Sequence, residues 1–239
     1  MRKLSASNAL IISLAVIVLM WARKVIRNTL FIDDILHLFE SVQNVLLDSV
    51  IMGLFTVLVV TLLLRLSGER YKHIGFDTRN IRKQAGFGIL FGVLIFLFDT
   101  VISSPIVKGL LPETSAQGID MGRLFTDLSL LPLWILVALF KGAFSEELWR
   151  IFALTRFEKL FGRPGLFLAL IVSSVVFGCG HLYQGLSGLI TIGIMGFLYA
   201  LVYLRRRRAL EVVFAHATFN LISIALGYLI YSGTSSAAG

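Results

Sequence analysis

Two adjacent carboxylates and a guanidinium, those of Glu146, Glu147 and Arg150, lie in an otherwise apolar stretch of this 239-residue chain. The stretch begins at Leu128 and carries one other charge, Lys141, before the carboxylates. An ionisable side chain at the centre of a bilayer is disfavoured by roughly 2.5–3.5 kcal/mol on insertion scales, so such residues usually have a function. A carboxylate that reaches a water molecule can act as a general base for attack on a carbonyl carbon.

Two of the four histidines also lie in apolar stretches, and each has a partner at helical spacing. His181 follows Phe177 by four residues and Asn220 follows His216 by four residues, so each pair shares one face of a helix. An imidazole can hold a water molecule or bind a metal. An amide beside a protonated imidazole can donate hydrogen bonds to an oxyanion. Together with the carboxylates, these side chains could direct water onto an amide carbonyl.

The composition predicts that membrane-spanning helices position these residues. Hydrophobic residues make up 57% of the chain, charged residues only 15%, and the mean hydropathy is +0.87. A transmembrane helix needs about 20 mostly apolar residues. We predict an all-α, polytopic bundle of about seven spans: 8–22, 45–64, 86–107, one starting at 128, 165–183, one ending at 204, and 209–231.

The apolar pattern divides the chain into an N-terminal transmembrane region (1–127), a core with the candidate residues (128–231) and a small polar tail (232–239) that we expect to be disordered. A Gly162-Arg163-Pro164-Gly165 turn separates the fourth and fifth spans. After the first span, apolar residues recur at helical spacing within residues 23–44. They predict a helix that lies in the membrane interface or packs on the bundle: Ile32, Ile35, Leu36, Phe39 and Val42.

The net charge of +8 indicates contact with membrane lipids rather than nucleic acid, because lysine and arginine cluster between the apolar segments. With the N-terminus in the cytoplasm, the cytoplasmic segments hold 15 of these residues and the outer segments hold 5. We therefore expect a multi-pass protein of the cell membrane, a bacterial inner membrane, with a cytoplasmic N-terminus. No cleavage site follows the charged start and first apolar run, so we expect the first span to be retained. The single cysteine, Cys179, excludes an intrachain disulfide.

The ordered motifs E-E…R, F-x-x-x-H and H-x-x-x-N on late spans resemble the CPBP family, the CAAX proteases and bacteriocin-processing proteins also called Abi proteins. These proteins are related to type II CAAX prenyl endopeptidases, and the resemblance covers residues 128–231. It implies an intramembrane endopeptidase acting on a membrane-anchored or lipidated peptide. It also implies that Glu146 activates water, that His181 positions it, and that His216 and Asn220 support the oxyanion. Three further residues would support the site: Glu147, Arg150 and Phe177.

One feature of the first motif departs from the family pattern, which is E-E-x-x-x-R where this chain has E-E-x-x-R. If Arg150 sets the register, Ser145 occupies the catalytic position. If the glutamate pair sets it, Glu146 is the base, and we favour this second register. Arg150 follows Glu146 by four residues and still shares its helix face, so a pair between these two side chains can form.

The residues leave the metal question open. Glu146, His181 and His216 on separate spans suit a catalytic zinc site with one open position. No H-E-x-x-H motif is present, and a glutamate-activated water without a metal would use the same side chains.

Two other functions also fit the sequence. The departure in the first motif favours a non-catalytic membrane scaffold or a bacteriocin-immunity protein. Buried glutamate and histidine also form proton relays, which would suit a proton-coupled transporter with Lys141, Asp48 and Asp99 along its path.

Overall fold

The computed structural model describes residues 5–38, 41–112, 118–119, 125 and 127–231, and nearly all of them are helical. The helices are numbered in chain order: α1 (Ala6–Leu30), α2 (Ile32–Leu38), α3 (Val42–Leu66), α4 (Ile81–Leu110), α5 (Leu128–Cys179), α6 (Leu182–Arg206) and α7 (Ala209–Tyr231). Each helix except α2 is long and apolar enough to cross a membrane. No strand occurs among the described residues. The predicted polytopic helical bundle is therefore confirmed.

Helix α5 has 52 residues and folds back on itself at Gly162. Gly162 has φ 64° and ψ −150°, a conformation that is open to glycine and strained for other residues. A Cβ on Gly165 would lie 2.5 Å from the carbonyl oxygen of Phe157, eight residues earlier, which is incompatible with a straight helix. Residues 128–161 and 163–179 therefore form two arms, so the turn predicted between the fourth and fifth spans is present.

Helix α1 is longer than the sequence predicted. We placed the end of the first span at residue 22, but α1 continues to Leu30 through three basic residues. All three, Arg23, Lys24 and Arg27, line a cavity inside the bundle, and Arg27 lies 3.3 Å from Asp48 of α3. The basic residues that predicted a polar loop after the first span instead lie within α1 and line this cavity.

Part of the amphipathic segment predicted within residues 23–44 is helical. Among its described residues, α2 spans seven residues and buries Ile35. Phe39 of the amphipathic pattern and the predicted tail, residues 232–239, lie outside the described residues.

The first arm of α5 forms the centre of the bundle. Leu148, Ile151 and Phe152 are fully buried in its core, immediately after the glutamate pair. Helix α7, which carries His216 and Asn220, packs closely on α4 through two glycines. A Cβ on Gly88 would lie 2.6 Å, and one on Gly92 2.5 Å, from carbonyl oxygens of α7. Small residues four apart allow such close approach of membrane helices, and here they fix the position of α7.

Glu69 anchors the loop between α3 and α4 to α5. Its carboxylate accepts hydrogen bonds of 2.8 and 2.7 Å from Arg156, and Nζ of Lys159 lies 2.8 Å from Oε1. The Arg156 side chain is only 1% exposed. Burial by itself raises the pKa of Glu69, but hydrogen bonds from Arg156 and Lys159 together outweigh it and lower the pKa to about 2.

We expect acid to release this anchor. Because the folded protein lowers the pKa of Glu69 from 4.5 to about 2, the stability it contributes is complete above pH 4.5 and is lost as the pH falls towards 2. Glu69→Gln should therefore lower Tm at neutral pH, and its Tm should depend less on pH than that of the wild type between about pH 5 and pH 2. Thermal unfolding in detergent across this range would measure both effects. Asp34→Asn, at an exposed position on α2, is the matched control. Equal pH dependence in wild type and Glu69→Gln would contradict the prediction.

Candidate active site

A cavity of about 880 Å³ is lined by residues of all seven helices. Six of the seven residues that the sequence selected line it: Glu146, Arg150, Phe177, His181, His216 and Asn220. The seventh, Glu147, has a side chain that is 0% exposed and lies behind the cavity wall. The structure therefore brings all three motifs to one place inside the bundle.

The backbone widens immediately before Glu146. Residues Ala138–Ser145 form a π-helix, and Glu146 is the first residue of the regular α-helix that follows. Such wide turns within α-helices are frequent at functional sites. Because a π-helical turn brings residues five apart together, Nζ of Lys141 lies 2.6 Å from Oε1 of Glu146. The cavity-lining carboxylate is thus held by an ammonium of its own helix.

Glu147 is held by a buried charged network. Nη1 of Arg150 donates to both of its carboxylate oxygens, at 2.5 and 2.6 Å, and Nδ1 of His216 lies 2.8 Å from Oε1. The guanidinium of Arg150 also lies over the ring of Phe177, 4.3 Å from its centroid. This network joins both arms of α5 to α7. The pair of Arg150 with Glu146 that the spacing allows does not form, since Arg150 pairs with Glu147 three residues away.

The two histidines are oriented by different partners. Nδ1 of His181 lies 2.9 Å from the carbonyl oxygen of Phe177, and the two rings meet edge to face with centroids 5.0 Å apart. Helix α5 ends at Cys179, so His181 lies in the turn before α6 rather than within a span as predicted. His216 is stacked on Tyr199 with ring centroids 4.6 Å apart. In both imidazoles Nδ1 has a protein partner, which leaves Nε2 for chemistry.

Asn220 faces the same cavity from one turn further along α7 than His216. Its Nδ2 donates a hydrogen bond of 3.3 Å to the carbonyl oxygen of Ala138, the first residue of the π-helix. A Cβ on Gly142 would lie 2.6 Å from Nδ2, so the glycine makes room for the amide.

Two comparisons with known proteins show what this chain is similar to. Residues 127–222 match the family model described as "Type II CAAX prenyl endopeptidase Rce1-like". Over 179 residues the chain is 31% identical to the Bacillus subtilis (strain 168) protein named "Putative membrane peptidase YdiL", a match that covers 72% of this chain and 68% of the relative. The chain belongs to the CPBP family of CAAX-type membrane proteases. No solved structure matches it.

Membership of the CPBP family confirms the resemblance that the ordered motifs indicated. The matched region contains all seven selected residues, from Glu146 to Asn220. Together with the six long apolar helices, it establishes a multi-pass membrane protein.

The geometry of this CPBP protein does not fit the zinc alternative. Among the residues that the structure describes, no three histidine, cysteine, aspartate or glutamate side chains converge as metal ligands. Of the proposed ligand set, the Glu146 carboxylate is already paired with the ammonium of Lys141. The chemistry is therefore derived from the side chains of the chain alone.

Sequence reasoning missed two side chains at the site. Lys24 of α1 lies with Nζ 5.4 Å from the ring centroid of Phe177, and Tyr199 of α6 stacks on His216. Lys24 escaped notice because the first span was expected to end before it. Tyr199 lies in an apolar run without a polar partner at helical spacing, so the sequence carries no signal for its role.

Proposed function

We propose that this chain is an endopeptidase that hydrolyses a peptide bond in a membrane-anchored or prenylated peptide, using water activated by Glu146. The observation that supports the proposal best is that the two glutamates have different surroundings. Glu146 lines the cavity with His181, His216 and Asn220, whereas Glu147 is fully buried and paired twice. This favours the register in which the glutamate pair, rather than Arg150, sets the catalytic position.

In the proposed mechanism, the carboxylate of Glu146 accepts a proton from a water molecule that His181 positions. The hydroxide formed attacks the carbonyl carbon of the scissile bond. Protonated Glu146 then gives its proton to the leaving amine as the carbon–nitrogen bond breaks, which restores the carboxylate. Lys141, 2.6 Å from Glu146, holds the carboxylate in place between these two proton transfers.

His216 and Asn220 stabilise the oxyanion in this proposal. A protonated His216 donates through Nδ1 to the carboxylate of Glu147 and through Nε2 to the developing oxyanion. The buried carboxylate of Glu147 lies against Nδ1 of this imidazole and orients the ring, and Arg150 holds the carboxylate in turn. The amide of Asn220, on the same helix face as His216, supplies the second donor.

The cavity suits a peptide presented from the membrane. Its volume of about 880 Å³ is within the usual range for ligand sites, and it is enclosed by helices that are apolar outside. The excess of lysine and arginine in the segments assigned to the cytoplasm favours a cytoplasmic N-terminus in a bacterial inner membrane. Membrane lipids are then its immediate partners.

The proposal is tested with the purified protein in liposomes and quenched fluorogenic peptides that end in a prenylated C-a-a-X sequence. We expect cleavage, with product masses that locate the scissile bond after the prenylated cysteine. Folded protein that leaves every farnesylated and geranylgeranylated peptide intact would overturn the proposal. Proton flux without cleavage in the same liposomes would favour the transporter alternative.

Gly142→Ala tests the placement of Asn220. The added methyl group would occupy the position 2.6 Å from Nδ2 and turn the amide away from the cavity. Loss of one oxyanion donor lowers kcat about 100- to 1,000-fold, so a displaced donor should lower kcat about 10- to 100-fold with little change in KM. Gly86→Ala is the matched control, because a Cβ there meets nothing within 4 Å. Equal kcat in both variants would remove Asn220 from the mechanism.

A further inference from the structure

The ammonium of Lys24 is held in the cavity without an ion-pair partner among the described residues. Arg27 pairs with Asp48, Lys141 with Glu146, and Arg150 with Glu147, but no carboxylate lies within 4.0 Å of Lys24 in the part of the chain that the structure describes. Its side chain is partly buried against the turn that carries His181.

A glycine makes room for this ammonium beside the proposed catalytic groups. A Cβ on Gly180 would lie 2.6 Å from Nζ of Lys24, so any larger residue there would displace the lysine. The ammonium also lies over the ring of Phe177, where the aromatic face attracts a cation. Lys24 is therefore placed next to His181 although it comes from a different helix.

The charges that line the cavity favour an anionic ligand. Six basic side chains line it, against three acidic ones. Two of these acids, Asp48 and Glu146, already have basic partners, and the third, Asp99, accepts a hydrogen bond from Ser104. Lys24 shares the remaining excess with Arg23 and Lys108, which also have no carboxylate partner among the described residues, and a substrate that brings its own negative charge would balance it.

We propose that Lys24 binds the free C-terminal carboxylate of the substrate peptide and so fixes the distance between that terminus and the scissile bond. This inference rests on the proposed function. It makes Lys24 a residue that selects peptides by the position of their C-terminus.

The distances set an upper limit that a leaving group of three residues can span. Nζ of Lys24 lies 5.4 Å from the ring centroid of Phe177, and the ring centroid of His181 lies 5.0 Å from the same point. The ammonium and the imidazole are thus no farther apart than these two distances combined. Three residues span at most about 10 Å. The tripeptide released by cleavage after the cysteine of a C-a-a-X sequence can therefore extend from the water held by His181 to Lys24.

The test compares two farnesylated peptides of one sequence, one with a free C-terminal carboxylate and one with a C-terminal amide. In phosphatidylcholine vesicles, wild type should cleave the acid with a kcat/KM about 50-fold above that of the amide, the range expected for a hydrogen bond to a charged group. Lys24→Met should reduce this ratio to about one and leave kcat/KM for the amide within about twofold, because it removes only the charged contact. Lys24→Arg should keep part of the preference. Arg65→Met, which removes an exposed charge of α3 that does not line the cavity, is the matched control and should keep all of it.

Several results would overturn the inference. Equal cleavage of acid and amide by wild type would do so, as would a Lys24→Met variant that loses activity equally on both, since Lys24 would then act through Glu146 or the fold. Thermal unfolding of Lys24→Met and Lys24→Gln separates an effect on the fold, which lowers Tm, from an effect through Glu146, which does not. A preference that appears only when phosphatidylglycerol is present in the vesicles would make lipid phosphate the ligand of Lys24.

A binding measurement separates this inference from the proposed function. Analogues in which the scissile amide is reduced to an amine cannot be hydrolysed, and their Kd can be measured with the acid and the amide terminus. Tighter binding of the acid that depends on Lys24, without cleavage of any peptide, would leave the carboxylate site standing and overturn the endopeptidase proposal. Cleavage without preference for the acid would support the endopeptidase proposal and overturn the carboxylate site at Lys24.

Discussion

Glu146→Gln should lower kcat for peptide hydrolysis by a factor of about 1,000 and leave Tm within a few degrees of wild type. The amide has the shape of the carboxylate but cannot accept a proton from water, and a general base contributes about 100- to 10,000-fold. Lys141 loses its partner but is 24% exposed in the cavity, where water can solvate its ammonium. Single-turnover cleavage and thermal unfolding of the same preparation measure the two quantities.

Two controls give this result its meaning. Glu158→Gln removes a carboxylate of the same helix that pairs with Arg207 at the surface, and it should keep full activity. Ser145→Ala tests the alternative register, because Ser145 is buried and would occupy the catalytic position if Arg150 set the alignment. An active Glu146→Gln variant together with an inactive Ser145→Ala variant would show that the first register is correct.

Helical spacing was sufficient to predict parts of this site. Residues four apart share a face, so His216 and Asn220 were expected to point the same way, and both line the cavity. The cost of charges in a membrane singled out the glutamate pair. These arguments succeed because they depend on one helix at a time.

The features of the site that the sequence did not predict depend on contacts between helices or on an irregular backbone. Positions three and four residues away lie on nearly the same face, so spacing could not decide whether Arg150 pairs with Glu146 or Glu147. His216 of α7 favours the second arrangement, because it brings a further hydrogen bond to Glu147. The π-helix that turns Lys141 towards Glu146 has no signature in the sequence. Lys24 reaches the site only because α1 continues through charged residues that the cavity accommodates.

Glu147→Ala should destabilise the protein by about 3–5 kcal/mol, the largest stability effect we expect at this site. The Arg150 side chain is 3% exposed, and it would be left buried with its cation–π contact to Phe177 but no carboxylate. His216 would lose its only ion-pair partner among the described residues at the same time. Reversible unfolding in mixed micelles, with Tm as a second measure, would show the loss. Glu158→Ala breaks an ion pair of which one side chain is 43% exposed, so it should change stability by no more than about 1 kcal/mol.

The double variant Glu147→Met, Arg150→Met separates the structural role of the network from its catalytic role. Replacing both members of a buried ion pair by apolar side chains of similar size is often neutral for stability, so most of the loss in Glu147→Ala should be recovered. Hydrolysis should still be reduced by at least about tenfold, because no carboxylate then orients the His216 ring that donates to the oxyanion. A double variant with full activity would mean that Glu147 and Arg150 only hold the helices together. A double variant that is stable and inactive would mean that the buried glutamate acts on the substrate through His216.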